Sequence, residues 1–477
     1  MKKIVYIGVC LAMMASLSSC IKDDSTGASE ISRISLTTPL QEKYILNQWD
    51  VLSINPQIEQ TNKDKPLSYE WEINYKVVST KKELSYVCEE PGNYEGRLKV
   101  TNGEDIQYYR FKTEIQFAYA RGLYVLAQNQ GKTILSYLPA EDTGKSFSLD
   151  ALAVNNPDMD LTKEPTAFEI AYNSSQVPMM YISLGNPSTV YNLSANRLTT
   201  TLQKTYDDQI YWLVSNPNST PTHVWYVGKK AIEFLAVGST MYYPLNHTYD
   251  NVMKNGNKVE LAKEIVPFHN PMRPSNHAMA LFDNAEGHLL LTPMDASQRV
   301  PAEIFPGTFT GQKLIGMEVV ESKRQLVLFT HNPTTNTVNY YHLSPGYYPT
   351  SVTNPIVEAV MINRGTVNTA TIDTDAAVVA ALQKNVVYYS KGNKIFGHNI
   401  LATTNFPTTP TFTLSNPNDK IVQMYISQDE SQLFVAANAP SGDMQGSIYC
   451  YDLTNNKLLW EKKQVTGKIH SMAYRIY

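Results

Sequence analysis

One strand-like segment near the end of the chain has no partner in its own repeat. This segment is Lys468-Ile469-His470-Ser471-Met472. Its copies earlier in the chain are Lys313-Leu314-Ile315-Gly316-Met317 and Lys420-Ile421-Val422-Gln423-Met424, with Asn276-His277-Ala278-Met279 as a weaker one. Apolar hairpins follow the earlier copies, but none follows the last, and the first hairpin, at Leu123, has no such segment before it. We therefore expect the segment that ends at Tyr474 to pair with the hairpin at Leu123 as the innermost strand of that sheet.

The hairpin itself recurs seven times. Its second strands are expected at residues 123–126, 180–183, 224–227, 289–291, 326–329, 386–389 and 433–436. Third strands follow most of them, as at residues 133–138, 189–193, 338–343 and 447–453. Hairpins repeated at intervals on the order of 50 residues are typical of propeller blades of the kelch or WD type.

A sheet that takes strands from both ends of the repeat leaves no open sheet edge in the ring. A stack of β-sandwiches or a solenoid would also contain repeated hairpins. Neither explains an unpaired strand at one end that matches a missing strand at the other. The fold predicted for residues 119–477 is therefore a seven-bladed β-propeller closed by the C-terminal strand, in a chain that is all-β.

Residues 31–118 have a different pattern, of short alternating runs at residues 31–36, 49–54, 67–75, 84–88, 94–101 and 107–117. Turn signals between such runs predict a β-sandwich. In Ser68-Tyr69-Glu70-Trp71-Glu72-Ile73, the alternation places Tyr69, Trp71 and Ile73 on one face. Pro91-Gly92-Asn93-Tyr94 and Thr101-Asn102-Gly103 are turn signals.

The Y-x-W strand followed by a P-G-x-Y turn resembles PKD-like domains of the immunoglobulin type. The layout is similar to PKD-like bacterial surface lipoproteins, which place an N-terminal sandwich ahead of a larger C-terminal domain. This resemblance implies an Ig-like, PKD-type β-sandwich over residues 31–118.

The first residues are typical of an export signal. Lys2 and Lys3 precede an apolar run over residues 4–17, which is too short to cross a bilayer comfortably. Leu17-Ser18-Ser19-Cys20 resembles the lipobox of bacterial lipoproteins, which implies removal of residues 1–19 and a lipid anchor on Cys20. Several acyl chains on one residue give stable anchoring. The alternative is an ordinary signal peptide with a chance cysteine.

The residues after Cys20 suggest which side of the membrane the protein faces. Lys22, Asp23 and Asp24 resemble the export signal of Gram-negative bacteria with SusC/SusD-type nutrient-uptake loci, which implies an outer-membrane protein facing outward. The alternative is a solvated tether with ordinary charges. Small, mostly polar residues at positions 25–29 predict a flexible lipidated tether over residues 20–30.

Charge and cysteine content exclude some classes of protein. The formal net charge is −4 and the basic residues are scattered, which argues against a nucleic-acid partner. Beyond Cys10 and Cys20, only Cys88 and Cys450 remain, at opposite ends of the chain. We expect both to be free, buried thiols without a disulfide framework.

The sequence contains no motif for catalysis, a metal or a cofactor. No two of the nine histidines have the HExxH spacing, and there is no G-x-S-x-G elbow. The closest approach to a sialidase Asp box, from Ser427 through Asp429, has Ser431 and Phe434 where the motif needs glycine and tryptophan. We interpret four acidic residues as turn residues and two histidines as structural. They are Asp373, Asp375, Asp429 and Glu430, and His342 and His470.

Tyrosine pairs are frequent, and the loop pair Tyr347-Tyr348, flanked by prolines, is the candidate ligand contact. We predict a non-catalytic accessory lipoprotein of a SusC/SusD-type uptake system that binds a glycan or peptide nutrient or docks on the transporter. This function is implied by the resemblance. The alternatives are an extracellular propeller glycoside hydrolase or lyase, and a scaffold for protein-protein contacts.

Overall fold

The computed structural model describes residues 31–140, 143–144, 146–172, 177–206, 209–215, 223–228, 232–236, 242–244, 261–269, 277–293, 302–320, 325–346, 358–402 and 405–476. The chain divides into two compact units, with the boundary between Ala118 and Tyr119. Among the described residues the strands are accompanied by one helix, α1 (Ala151–Asn155). No helix in this part of the chain is long and apolar enough to cross a membrane.

The first unit is built from short strands. They are β1 (Ile34–Leu36), β2 (Lys43–Asn47), β3 (Val51–Ile54), β4 (Ile58–Gln60), β5 (Ser68–Ile73), β6 (Lys76–Ser79), β7 (Leu84–Val87), β8 (Gly92–Thr101) and β9 (Ile106–Gln116). Five form one sheet in the order β2-β9-β8-β5-β6, β3 pairs with β7, and β1 pairs with β4. The six predicted strands are present, whereas the short strands β2, β4 and β6 were not predicted.

Trp71 lies at the centre of the first unit. Its side chain is fully buried, and its indole N–H donates a hydrogen bond of 3.0 Å to the backbone oxygen of Lys81. Ile73 is buried on the same face of β5 and Tyr69 packs beside it, as the alternation predicted. Burial of large aromatic side chains contributes most of the apolar driving force in a sheet of this size.

Gly96 makes room for an aromatic ring in this core. It lies opposite Phe111 in the β8–β9 pair, and a Cβ atom at position 96 would come within 2.2 Å of the Phe111 ring. That ring is held by edge-to-face contacts with Tyr44 and Trp71. The glycine is therefore required by close packing.

The second unit forms seven sheets from the described residues. The first sheet has three strands, in the order β36 (Lys468–Arg475), β10 (Gly122–Asn129) and β11 (Lys132–Pro139). Six four-stranded sheets follow, each in chain order. The first two of them contain β12 (Pro165–Tyr172), β13 (Pro178–Leu184), β14 (Thr189–Ser194) and β15 (Thr200–Thr205), and then β16 (Ile210–Ser215), β17 (His223–Gly228), β18 (Ile232–Ala236) and β19 (Tyr242–Pro244). The next two contain β20 (Leu261–His269), β21 (His277–Asp283), β22 (His288–Pro293) and β23 (Ala302–Ile304), and then β24 (Lys313–Val320), β25 (Gln325–Asn332), β26 (Thr337–Ser344) and β27 (Val360–Val367). The last two contain β28 (Val378–Ala381), β29 (Val386–Lys391), β30 (Lys394–Asn399) and β31 (Phe412–Thr413), and then β32 (Lys420–Ile426), β33 (Gln432–Asn438), β34 (Gly446–Asp452) and β35 (Lys457–Thr466).

The strand from Lys468 pairs with the first hairpin, where the sequence placed it. β36 is antiparallel to β10, with Leu123 opposite Tyr474 and Gly122 opposite Arg475. The predicted inner strands at Lys313 and Lys420 are likewise the first strands of their sheets. The architecture is that of a β-propeller, in which apolar clusters lie between successive sheets.

One assignment in the repeat was wrong. The segment at residues 276–279 was predicted as an inner strand, but β21 is the second strand of its sheet and pairs with β20 (Leu261–His269). Consequently residues 289–291 belong to the third strand, β22, and not to the second. The inner strand β20 contains Pro267, which is unusual in a strand and hides the alternating pattern.

The innermost strands contact one another in sequence. β12 contacts β16, and contacts continue through β20, β24, β28 and β32 to β36, which itself contacts β12. Five of these strands have a β-bulge near their first residues. The bulge residues are Thr166, Tyr211, Ile315, Val422 and His470. Bulges re-aim side chains and increase local twist, as tight packing around an axis requires.

Candidate functional site

The sequence-predicted site residues lie outside the described part of the chain. They are Cys20, Lys22, Asp23 and Asp24 in the first 30 residues, and Tyr347 and Tyr348 in the segment after β26. A candidate site must therefore be built from other residues. The ends of three adjacent inner strands provide one.

Polar and aromatic side chains gather where β12, β32 and β36 end. β36 contacts both other strands. The residues are Glu169 and Tyr172 on β12, Tyr425 on β32, and Tyr474 and Arg475 on β36. We call these five residues the tyrosine cluster. All are half-buried except Arg475, which is buried.

Tyr425 links two of these strands. Its hydroxyl donates a hydrogen bond of 3.2 Å to the backbone oxygen of Tyr474. Burial raises the pKa of Tyr425 to about 12, and the nearby Glu169, Tyr172 and Tyr474 contribute to the increase. Tyr425 therefore stays protonated at neutral pH and acts as a hydrogen-bond donor, not as a base.

Arg475 brings a positive charge to the same strand ends. Its Nη2 donates a hydrogen bond of 2.7 Å to Oδ1 of Asn196, which lies in the turn after β14. It also lies beside Tyr124. Burial raises the pKa of the Tyr124 hydroxyl, and the charge and hydrogen bond of Arg475 oppose this increase. The guanidinium is therefore held in place by the neighbouring sheet.

The chemistry of the tyrosine cluster suits binding. The half-buried Glu169, Tyr172 and Tyr425 offer a carboxylate, phenol hydroxyls and ring faces to a ligand. The Tyr474 ring packs on Phe434 at 4.4 Å and Arg475 is buried, so these two residues support the others. Glycoside hydrolysis uses a pair of carboxylates, and this cluster contains only Glu169. Among the described residues, no group of three His, Cys, Asp or Glu side chains is placed to hold a metal ion.

The acidic residues interpreted as turn residues do lie in turns and loops. The Asp373 carboxylate is 2.8 Å from the Lys391 ammonium, and Asp429 accepts a 2.6 Å hydrogen bond from the Ser427 hydroxyl. Glu430 accepts hydrogen bonds from the backbone N–H groups of Gln383 and Lys384 in the neighbouring sheet. These carboxylates therefore stabilise turns and the contact between sheets.

The histidines differ from one another in environment. His342 is buried on β26, where its Nε2 lies 2.6 Å from Oε1 of Gln325, which fits the predicted structural role. His470 is the bulge residue of β36 and is exposed, and its Nδ1 lies 3.1 Å from the Ser471 hydroxyl.

His398 is a buried histidine that the sequence did not single out. It is 1% exposed, stacks on Phe406 at 4.4 Å, and meets the edge of Tyr340 at 5.1 Å. Neither ring nitrogen has a hydrogen-bond partner among the described residues. Burial, with a smaller contribution from the nearby His342, lowers the pKa of His398 to about 4. The imidazole is therefore uncharged at neutral pH.

Cys88 and Cys450 are both buried and free, as predicted. Burial raises the pKa of each thiol, that of Cys450 to about 12. Both are therefore protonated and unreactive.

Comparison with family models supports the fold of the first unit. A family model for the PKD-like domain matches residues 32–102, which confirms the predicted PKD-like domain. No curated protein shows a significant sequence match to the chain.

Several solved structures resemble the chain. A quinonprotein alcohol dehydrogenase-like protein from Bacteroides thetaiotaomicron is 14% identical, with a TM-score of 0.49, over 94% of this chain and 99% of that one. The Cps50 (Swd1) β-propeller domain of Myceliophteria thermophila is 10% identical, with a TM-score of 0.44, over 69% of this chain and 96% of that one. The Dos1 propeller is 11% identical, with a TM-score of 0.45, over 73% of this chain and 86% of that one. At these identities the likenesses say nothing about ligand or activity.

Proposed function

We propose that this chain is a lipid-anchored protein on the outer face of a bacterial outer membrane. In this proposal it binds a glycan or peptide nutrient for a SusC/SusD-type uptake system and does not transform it. The observation that carries the binding role is the tyrosine cluster, where ring faces and hydrogen-bonding groups converge at the ends of adjacent inner strands. The anchor and the uptake system rest on Cys20 and on Lys22, Asp23 and Asp24.

We further propose that the second unit is a seven-bladed propeller closed by β36. Two observations support it: β36 pairs with β10, and the inner strands contact one another in sequence from β12 round to β36 and back to β12. In such a ring the tyrosine cluster lies at one mouth of the axial channel. A channel mouth is concave and collects side chains from several strands, as ligand sites do.

Calorimetric titration of the full-length protein tests the binding role. The probes are neutral and acidic oligosaccharides and a tryptic digest of casein. We expect at least one probe to bind without product release, and Glu169→Gln to weaken binding at least tenfold. Glu358→Gln, at an exposed position two residues before β27, is the matched control and leaves binding unchanged. Equal binding by Glu169→Gln, or no binding of any probe, would rule out the tyrosine cluster as the site.

Affinity purification from solubilised outer membranes tests the uptake role. A transporter pair of the SusC/SusD type is expected to copurify with the wild-type protein. A clean preparation without these proteins would contradict the proposed association with an uptake system.

A further inference from the structure

Trp49 occupies an unusual position in the first unit. It is the third residue of a tight turn over residues 47–50, closed by a 3.0 Å hydrogen bond from the Asp50 N–H to the Asn47 oxygen. Its φ of 75° lies in the left-handed region, and glycine or asparagine normally fills this position in such turns. A large side chain here disfavours the local backbone conformation.

The turn is fixed to the rest of the first unit and presents the indole to solvent. The Trp49 N–H donates to the Cys88 oxygen at 2.7 Å, and the Gln48 N–H donates to the Gln116 oxygen at 2.6 Å. The Asp50 carboxylate accepts from the Asn47 N–H at 2.8 Å. The Trp49 residue is nevertheless 62% exposed. The fold thus fixes the backbone of Trp49 and leaves most of its side chain exposed.

The surface beside Trp49 is apolar at its near end and polar beyond. On the outer face of β3 and β7, the exposed Val51 and Val87 lie opposite each other, and the exposed Ser53 and Ser85 form the next pair on that face. Asn55 then lies beyond β3 and donates a 2.7 Å hydrogen bond to Glu83. Outward-facing residues on a strand are spaced by roughly 7 Å, so the face extends from an aromatic end to a hydrogen-bonding end.

The charged residues next to Trp49 disfavour an anionic ligand at this end of the face. The charged residues that flank Trp49 in the turn and in the segment after β7 are Asp50, Glu89 and Glu90, which are all acidic. The Gln48 side chain donates to the Glu89 backbone oxygen at 2.8 Å, which places that acidic segment beside the turn. Like charges would repel an acidic polymer in this position.

A protein partner fits this surface less well than a sugar. Protein interfaces need a broad, well-packed area around their anchor residues, and here one ring is flanked by two valines and then by hydroxyl groups. The C–H face of a pyranose complements the electron-rich face of an indole, and its hydroxyls match serine, amide and carboxylate groups. We propose that Trp49 and the outer face of β3 and β7 bind a neutral polysaccharide. This goes beyond the proposed function, because the surface lies in a different unit from the tyrosine cluster.

Affinity electrophoresis of the full-length protein tests the proposal. The gels contain soluble starch, mannan, xylan or mixed-linkage β-glucan, with polygalacturonate as the acidic polymer. We expect retardation by at least one neutral polymer and none by polygalacturonate. Trp49→Gly is expected to weaken the apparent affinity at least tenfold. Glycine suits the left-handed turn position, so this variant keeps the wild-type thermal unfolding midpoint.

Tyr75 provides a matched control. It is 83% exposed and has a φ of 62° in the β5–β6 hairpin, so Tyr75→Gly makes the same kind of change in the same unit. We expect Tyr75→Gly to be retarded like the wild type. Retention of wild-type retardation by Trp49→Gly, or no retardation of the wild type by any neutral polymer, overturns the proposal. An equal loss of retardation in Trp49→Gly and Tyr75→Gly also overturns it. So does a loss of retardation in Glu169→Gln alone.

Discussion

The side-chain amide of Asn438 holds both backbone groups of Ile469. Its Oδ1 accepts a 2.7 Å hydrogen bond from the Ile469 N–H, and its Nδ2 donates a 2.9 Å hydrogen bond to the Ile469 oxygen. Asn438 belongs to β33 and Ile469 to β36, so one side chain links the sheet of β32–β35 to the sheet of β10. Gln423 adds a second link, since its Oε1 accepts a 2.5 Å hydrogen bond from the Met472 N–H.

We expect Asn438→Ala to lower the free energy of unfolding by about 2 kcal/mol, because two buried backbone groups lose their partners. Guanidinium-induced unfolding measures the change, and hydrogen exchange of the amides in β36 shows whether that strand loosens first. Asn418→Ala, at an exposed position, is the control and changes little. If Asn438→Ala unfolds with the same free energy as the wild type, this link contributes nothing to stability.

His398 predicts a dependence of stability on pH. The unfolded chain takes up a proton on this histidine near its ordinary pKa of 6.5, whereas the folded protein resists protonation until about pH 4. Between these values the unfolded state binds more protons, so stability falls as pH falls from about 6.5 to about 4. The shift corresponds to a loss of up to about 3 kcal/mol.

Replacement of His398 by phenylalanine tests this pH dependence. The new ring is similar in size and can stack on Phe406, so the part of the acid sensitivity due to His398 is expected to disappear. Unfolding is measured at pH 7.5, 5.5 and 4.5, with His470→Gln at an exposed position as the control. The same pH dependence in His398→Phe and wild type would show that another group is responsible.

Gly96→Ala is expected to lower the stability of the first unit by about 2 kcal/mol, because the added methyl group overlaps the Phe111 ring. Fluorescence of the five tryptophans, Trp71 among them, reports the change during chemical unfolding. The double variant Gly96→Ala, Phe111→Leu removes the overlap. We expect it to be less destabilised than the sum of the single variants; additive effects would contradict the packing explanation.

The anchor is tested in a bacterium that uses SusC/SusD-type loci. Cys20→Ala is expected to abolish incorporation of labelled palmitate and to release the protein from the membrane fraction. Replacement of Lys22, Asp23 and Asp24 by alanine is expected to leave lipidation intact but to protect the protein from protease added to whole cells. Continued cleavage by external protease in the triple variant would argue against the export signal.

Much of the fold could be predicted because strand alternation depends on local sequence. Trp71 and Ile73 alternate with polar residues and are buried together, and the copies at Lys313, Lys420 and Lys468 repeat the same apolar spacing. β20 was missed because Pro267 interrupts its pattern.

The tyrosine cluster could not be predicted from local patterns. Glu169 and Arg475 are far apart in the sequence, and they come together only because β12 and β36 are neighbours in space. One signal was available: when the inner-strand copies are aligned, Tyr425 follows Met424, and Tyr474 lies two residues after Met472. The exposed Trp49 was also missed, because it was placed within a predicted strand when it occupies a left-handed turn.

The pairing of β36 with β10 also limits the order in which the second unit can fold. Ser136 of β11 and Thr466, two residues before β36, form a buried hydroxyl pair although they are 330 positions apart in the chain. Contacts of this range form late, because the intervening loop must first lose its entropy. Until β36 arrives, one edge of β10 stays unpaired while the other sheets assemble, and unpaired edges are prone to join other chains. A folding intermediate in which β36 has not yet joined β10 is therefore the form most exposed to aggregation.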